Sequence, residues 1–188
     1  MASDRGPWIQ TFTGRQFHPL APLPEDICLE DIAHALSCTA RFGGHTTSFY
    51  SVAQHSVLVA QYTPQAYRQQ ALLHDASEAY LGDMPRPLKH SGAMEGFRDA
   101  EMFLSDVIAA RYGLYHLEPP QVKTADSRLL VSEKRDLMPN DQSKWSETEW
   151  LHGAADAEPI PETIIPWEPY VAERKFLKVA ALLGLPRG

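Results

Sequence analysis

The chain has 188 residues, 44% of them hydrophobic and 22% charged, with a formal net charge of -7. That balance suits one globular domain with a sizeable core. The acidic charge argues against a general nucleic-acid binder, which carries a basic face, and no run approaches the roughly 18–20 apolar residues of a membrane span. The opening MASDRGPWIQ has no apolar core behind its basic residue, so no secretory leader and a cytoplasmic location are expected. Cys28 and Cys38 are too few for a disulfide framework or a zinc knuckle, and they read as small buried hydrophobes.

The first two dozen residues mix Trp8, Phe12 and Phe17 with Gly14, Pro19, Pro22 and Pro24. They read as irregular chain laid over a domain, with the aromatics buried. A helix is predicted over 25–37, with Ile27, Ile32, Ala35 and Leu36 on its apolar face. The paired glycines of Arg41-Phe42-Gly43-Gly44-His45 mark a loop. Helical patterning resumes over 48–61 and again over 64–81, where Pro64 suits the first turn. Pro85 and Pro87 break the pattern after Asp83. A longer helix over 93–112 closes at Gly113, and another runs from Pro119 or Pro120 to Leu137 with Leu129, Leu130 and Leu137 facing the core. Residues 139–169, with Trp145, Trp150 and Trp167, read as a surface excursion containing short helical pieces. A last helix over 169–183 is stopped by Gly184 and Pro186. Strand-like alternation is almost missing, so the expected fold is all-α in a single domain.

Chemistry concentrates in Leu72-Leu73-His74-Asp75-Ala76-Ser77-Glu78. An adjacent imidazole and carboxylate inside an apolar run are costly to bury without a partner, and a cation is such a partner. On a continuous helix Glu78 would lie over both His74 and Asp75. His55 sits in a helical stretch whose other positions are apolar or small, and Asp126 sits at the edge of another. Taken singly, His55 also fits a satisfied core histidine and Asp126 a surface charge. Such ligands suit zinc, manganese, cobalt or iron, and magnesium less well.

The order His55, then His74-Asp75, then a distant Asp126, all on helices, resembles the motif of the HD-domain metal-dependent phosphohydrolases. HDASEAYLGDMPRPLK resembles a segment of the 5'-deoxynucleotidase-like bacterial and phage members, and ADSRLLVSEKRDL resembles the helix that brings their last aspartate. WIQTFTGRQFHPLAP and DIAHALSCTARFGGHTTSFYSVAQHSVLVA are similar to a compact bacterial and prophage subgroup. The resemblance implies a divalent ion (cobalt, manganese, zinc or iron, with magnesium possible) on His55, His74, Asp75 and Asp126. It implies that Glu78 directs the attacking water and that Asp83 assists at the leaving oxygen or the sugar. Arg41 would contact phosphate, with Lys89 as a second cation and His45 facing the cleft from the same loop. Phe42 and the turn holding Pro87 would wall the base.

The expected reaction is hydrolysis of the 5' phosphoester of a (deoxy)nucleotide, giving nucleoside and phosphate. Release of triphosphate from a dNTP, as in phage enzymes that deplete dATP, cuts the same bond and stays open. Only Arg41, Lys89 and Arg86 offer positive charge nearby, which favours monophosphates. Guanosine tetraphosphate or cyclic-dinucleotide hydrolysis calls for longer motifs that are not found here. A catalytically inactive nucleotide sensor is a further alternative, and the full ligand set with Glu78 argues against it. No phosphate loop, GxSxG elbow or HExxH motif occurs. The expected partner is a small nucleotide, with no nucleic acid or membrane, and the family resemblance implies a homo-oligomer.

Overall fold

The computed structural model describes residues 5–139 and 154–187. Among them the regular structure is helical apart from one antiparallel pair, β1 (Ile9–Gln10) and β2 (Gln16–Phe17), and an isolated bridge between Ala40 and Ser51. The helices are α1 (Leu29–Cys38), α2 (Val52–Tyr62), α3 (Arg68–Leu73), α4 (Glu78–Leu81), α5 (Arg86–Lys89), α6 (Glu95–Arg111), α7 (Pro120–Leu137) and, for the last, α8 (Pro169–Leu182). The expected all-α class holds. No helix among the described residues is long and apolar enough to cross a membrane.

Helix α2 is the centre of the packing. Val52, Ala53, His55, Ser56, Val57, Val59 and Ala60 are all buried, so the helix is covered nearly all round by α1, α3, α7 and α8. A helix without a solvent face must satisfy every polar side chain internally. Ser51 caps it by accepting from the Gln54 N–H at 3.1 Å, and the Ser56 hydroxyl donates to the Val52 carbonyl at 3.0 Å. The Gln54 amide donates to the Ile165 carbonyl at 2.8 Å and accepts from the Trp167 N–H at 2.7 Å. It thereby pins a segment with no regular structure, and that segment inserts Ile160 and Ile164 into the core. Residues 154–168 thus lie against the domain and carry no helix, while Trp145 and Trp150 fall outside the described residues.

Several boundaries differ from those the periodicity predicts. Pro24–Asp26 is a 3-10 turn, and α1 begins only at Leu29. The predicted helix over 48–61 starts at Val52, because the preceding chain pairs with Thr39 and Arg41: the Arg41 N–H donates to the Tyr50 carbonyl at 2.9 Å and the Val52 N–H to the Thr39 carbonyl at 3.0 Å. The predicted helix over 64–81 is interrupted at 74–77. There the ladder tightens to i→i-3, with Glu78 N–H on the Asp75 carbonyl at 3.0 Å and Ala76 N–H on Leu73 at 2.9 Å. Three residues per turn align side chains three apart, so Glu78 stands over Asp75 more than over His74. Apolar spacing tolerates either winding, which is why the pattern does not reveal the break.

The N-terminal aromatics divide. Phe17 is fully buried and stacks on Tyr80 of α4 with centroids 4.0 Å apart. Trp8 and Phe12, expected to be buried, are 53% and 61% exposed. Phe12 instead lies flat on His34 at 3.7 Å, and Thr13 donates to both Asp31 oxygens at 2.7 and 3.0 Å, fixing the hairpin to α1. Cys28 is buried as expected, whereas Cys38, at the last position of α1, is exposed.

Gln54→Ala removes both clamps on residues 165 and 167 and leaves their backbone groups without a partner. It is expected to lower unfolding free energy by about 2–4 kcal/mol in urea titrations. A loss below about 0.5 kcal/mol, the range of a neutral surface substitution, would contradict the clamp.

Candidate metal centre

Four side chains from three elements converge. His55 projects from the middle of α2, His74 and Asp75 from the tightened turn after α3, and Asp126 from α7. The His55 Nε2 lies 3.3 Å from the His74 Nε2, 3.6 Å from the Asp75 Oδ2 and 3.1 Å from the Asp126 Oδ1. The His74 Nε2 lies 3.3 Å from the Asp75 Oδ2. His55, His74 and Asp75 offer ligand atoms that all fall within 4.8 Å of one another. Metal–ligand bonds of ~2.0–2.1 Å set neighbouring ligand atoms about 3.0–3.5 Å apart, the spacing of an octahedral or tetrahedral edge. The His55, His74 and Asp75 atoms, 3.3–3.6 Å apart, come near that spacing, and Asp126 meets it at His55.

The hydrogen bonds behind the rings make the same point. The His74 Nδ1 faces the Ala71 carbonyl at 2.8 Å, and a carbonyl only accepts, so this nitrogen carries the proton. The His55 Nδ1 faces the Glu133 carboxylate at 2.6 Å and likewise donates. Both neutral rings then aim Nε2 lone pairs at one point, together with two carboxylates. Such a set repels itself unless a proton or a cation joins it. Without a cation the proton goes to His55. Burial and Arg41 press its pKa down, but Glu133 and Asp126 outweigh them and push it up to about 9. The donors of His55, His74 and Asp75 therefore fit a divalent ion and would hold it, with Asp126 beside the His55 Nε2.

Arg41 offsets part of the negative charge around the cluster. Arg41 donates through Nη1 to Asp75 at 3.4 Å and through Nη2 to Glu133 at 3.2 Å, and its side chain is 14% exposed. Burial raises the Asp126 and Glu133 carboxyls. The opposing pull of His55 and Arg41 wins, and both are held below the usual carboxylate range. Glu78 behaves oppositely. Burial first, then the charges of Asp75 and Asp83, raise it well above that range, and its Oε2 is buried with no hydrogen-bond partner. Asp83 is raised as well, by burial and then by Asp75 against the pull of Arg41. Side-chain exposure rises from 0% at His55 through 5% at His74 and 18% at Asp75 to 37% at Asp126, so the cluster opens to solvent on the α7 side.

The other residues singled out from the sequence lie at varying distance from this centre. Arg41 is bound into it, and the guanidinium also sits 5.2 Å from the centroid of the Phe42 ring. Phe42 has φ 55°, a left-handed conformation rare for a bulky side chain. Lys89, the second phosphate candidate, is half-buried and engaged by Glu101 at 2.7 and 2.6 Å. His45 and Pro87 are exposed, and neither makes a hydrogen bond or ion pair with the cluster. Glu133 and Tyr50 went unnoticed in the sequence. Glu133 is seven residues from Asp126 on α7, two turns along one face, and that spacing was the signal for it. Nothing local marks Tyr50.

His74→Ala and Asp75→Asn are each expected to lower Zn2+ or Co2+ affinity by more than about 100-fold, beyond what outer-shell partners lose. Competition with a chromophoric chelator measures this, with circular dichroism confirming the helices. Affinity unchanged in His74→Ala would contradict the assignment.

The chain is 42% identical over 144 residues to the uncharacterized protein YfdR of Escherichia coli strain K12, covering 77% of this chain and 80% of that protein. It is 39% identical over 127 residues to an uncharacterized protein of Rhodobacter capsulatus, covering 63% of this chain and 64% of that one. No family model matches the chain. With that identity across most of both sequences, the chain belongs to the family of Escherichia coli YfdR.

Proposed function

We propose that the chain is a metal-dependent phosphohydrolase of HD type that hydrolyses the 5' phosphoester of a deoxynucleoside monophosphate, releasing nucleoside and phosphate. One observation carries the reading: two buried imidazoles aim their Nε2 atoms at each other across 3.3 Å, with a carboxylate oxygen 3.1 Å from one and another 3.3 Å from the other. A divalent ion held there would polarise a phosphoryl oxygen and lower the pKa of a water molecule towards neutrality.

The chain's own groups supply the rest. Arg41 uses its two terminal nitrogens on Asp75 and Glu133, and its Nε is buried without a partner. An orphaned cationic N–H beside the cluster is suited to an anionic oxygen. Glu78 presents an equally orphaned carboxyl oxygen one tight turn from Asp75, the position for orienting the attacking water and taking its proton. Asp83 faces the same charges and is the group to serve the leaving oxygen. Positioning and charge neutralisation are most of what phosphoryl transfer asks of a protein.

Lys89 is committed to Glu101 and Arg86 is exposed, so among the described residues Arg41 is the cation bonded to the cluster. That favours one phosphate over three. Metal-loaded protein incubated with ribo- and deoxynucleoside mono- and triphosphates is expected to release inorganic phosphate from deoxynucleoside monophosphates. Asp75→Ala abolishes turnover, and Glu78→Gln lowers kcat by about 10²–10⁴-fold, as for a general acid–base. Triphosphate as product would shift the substrate to dNTPs. Activity that survives chelation and Asp75→Ala would overturn the metal mechanism, and tight nucleotide binding with no product would mark a sensor.

A further inference from the structure

We infer that Glu133 is a positioning residue for the metal centre, orienting His55 from behind through its Nδ1–H. The inference rests on the reading of His55 as a metal ligand. Three donors converge on this one carboxylate: the His55 Nδ1 at 2.6 Å and the Tyr50 hydroxyl at 2.9 Å, both on Oε1, and the Arg41 Nη2 at 3.2 Å on Oε2. The side chain is fully buried on a helix whose other inward positions are Val122, Ala125, Leu129, Ser132 and Leu137. A buried carboxylate is a poor way to fill such a position, since an apolar side chain of similar volume fills it with no desolvation cost. The arrangement makes sense if the charge is used.

Its use follows from the geometry. The bond to Nδ1 fixes the His55 tautomer and ring plane and makes the far nitrogen, Nε2, the better electron-pair donor. Tyr50 and Arg41 hold the carboxylate in place on its remaining lone pairs. Glutamine matches glutamate in shape but carries one acceptor and one donor at its tip. If its oxygen serves His55 and Tyr50, its NH2 meets the Arg41 donor, and the reverse placement sets the NH2 against two donors. Glu133→Gln therefore cannot satisfy all three partners at once.

The test measures Co2+ and Zn2+ affinity of Glu133→Gln by chelator competition, beside the melting midpoint of the metal-free protein. The expected result is a loss of affinity of about 10–100-fold, the range for an outer-shell partner, with any fall in the metal-free midpoint too small to account for it. Affinity within threefold of the parent overturns the inference while leaving the metal centre standing. A lower metal-free midpoint in proportion to the lost affinity assigns Glu133 to folding and overturns it too. A parent protein that binds neither ion sinks the metal reading itself, and this inference with it. Should Glu133→Gln not fold, long-range 1H–15N spectra of the Zn2+-loaded parent decide. One exchange-protected, strongly downfield imidazole N–H that is missing in His55→Ala supports the short carboxylate bond, and its absence overturns it.

Discussion

The structure depends on how a buried imidazole at the middle of α2 is satisfied. His55 sits on a helix covered on nearly all sides, so neither ring nitrogen has access to solvent. Leaving either one unpaired would cost a full desolvation penalty. Glu133 takes Nδ1 from one direction, and His74, Asp75 and Asp126 surround Nε2 from the other. Each of those partners comes from a helix or turn packed on α2, so satisfying one ring constrains the placement of α3, α7 and the turn between α3 and α4.

Electrostatics explains the rest of the arrangement. Carboxylates gathered in low-dielectric surroundings need a compensating charge, and Arg41 supplies it to Asp75 and Glu133 together. The loop bearing Arg41 is closed by backbone bonds between Arg41 and Tyr50 and between Thr39 and Val52. Those bonds also deliver the Tyr50 hydroxyl to Glu133. The same loop contains the left-handed Phe42, backbone strain of the kind that collects beside functional sites. Glu78 is left in the cluster's field without a hydrogen bond on Oε2, and burial with the charges of Asp75 and Asp83 raises its carboxyl well above the usual range.

Much of this was legible in the residues. The helices over 120–137 and 169–182 were given nearly to the residue by prolines at their starts and a glycine or break at their ends. His55, His74, Asp75 and Asp126 stood out as polar groups set in apolar helical stretches, and the structure brings the first three within 4.8 Å of one another, with Asp126 3.1 Å from His55. Features set by tertiary contact were not legible. The seven-residue spacing from Asp126 puts Glu133 on the same face of α7, but only folding shows that it alone of the four charged residues of VSEKRDL is fully buried. The interruption at 74–77 leaves no trace in the apolar pattern, because 3-10 and α windings bury the same Leu72, Leu73 and Ala76. The pairing of Lys89 with Glu101, twelve residues further on and in α6, is likewise set by tertiary contact.

The proposed function requires that the two converging Nε2 atoms seat a divalent cation. Anomalous scattering at the cobalt edge, from crystals grown with Co2+, tests this most directly. A single strong peak is expected within about 2.0–2.2 Å of the Nε2 atoms of His55 and His74 and of oxygens of Asp75 and Asp126. A peak elsewhere, or no peak with the two imidazoles still facing each other, would contradict it.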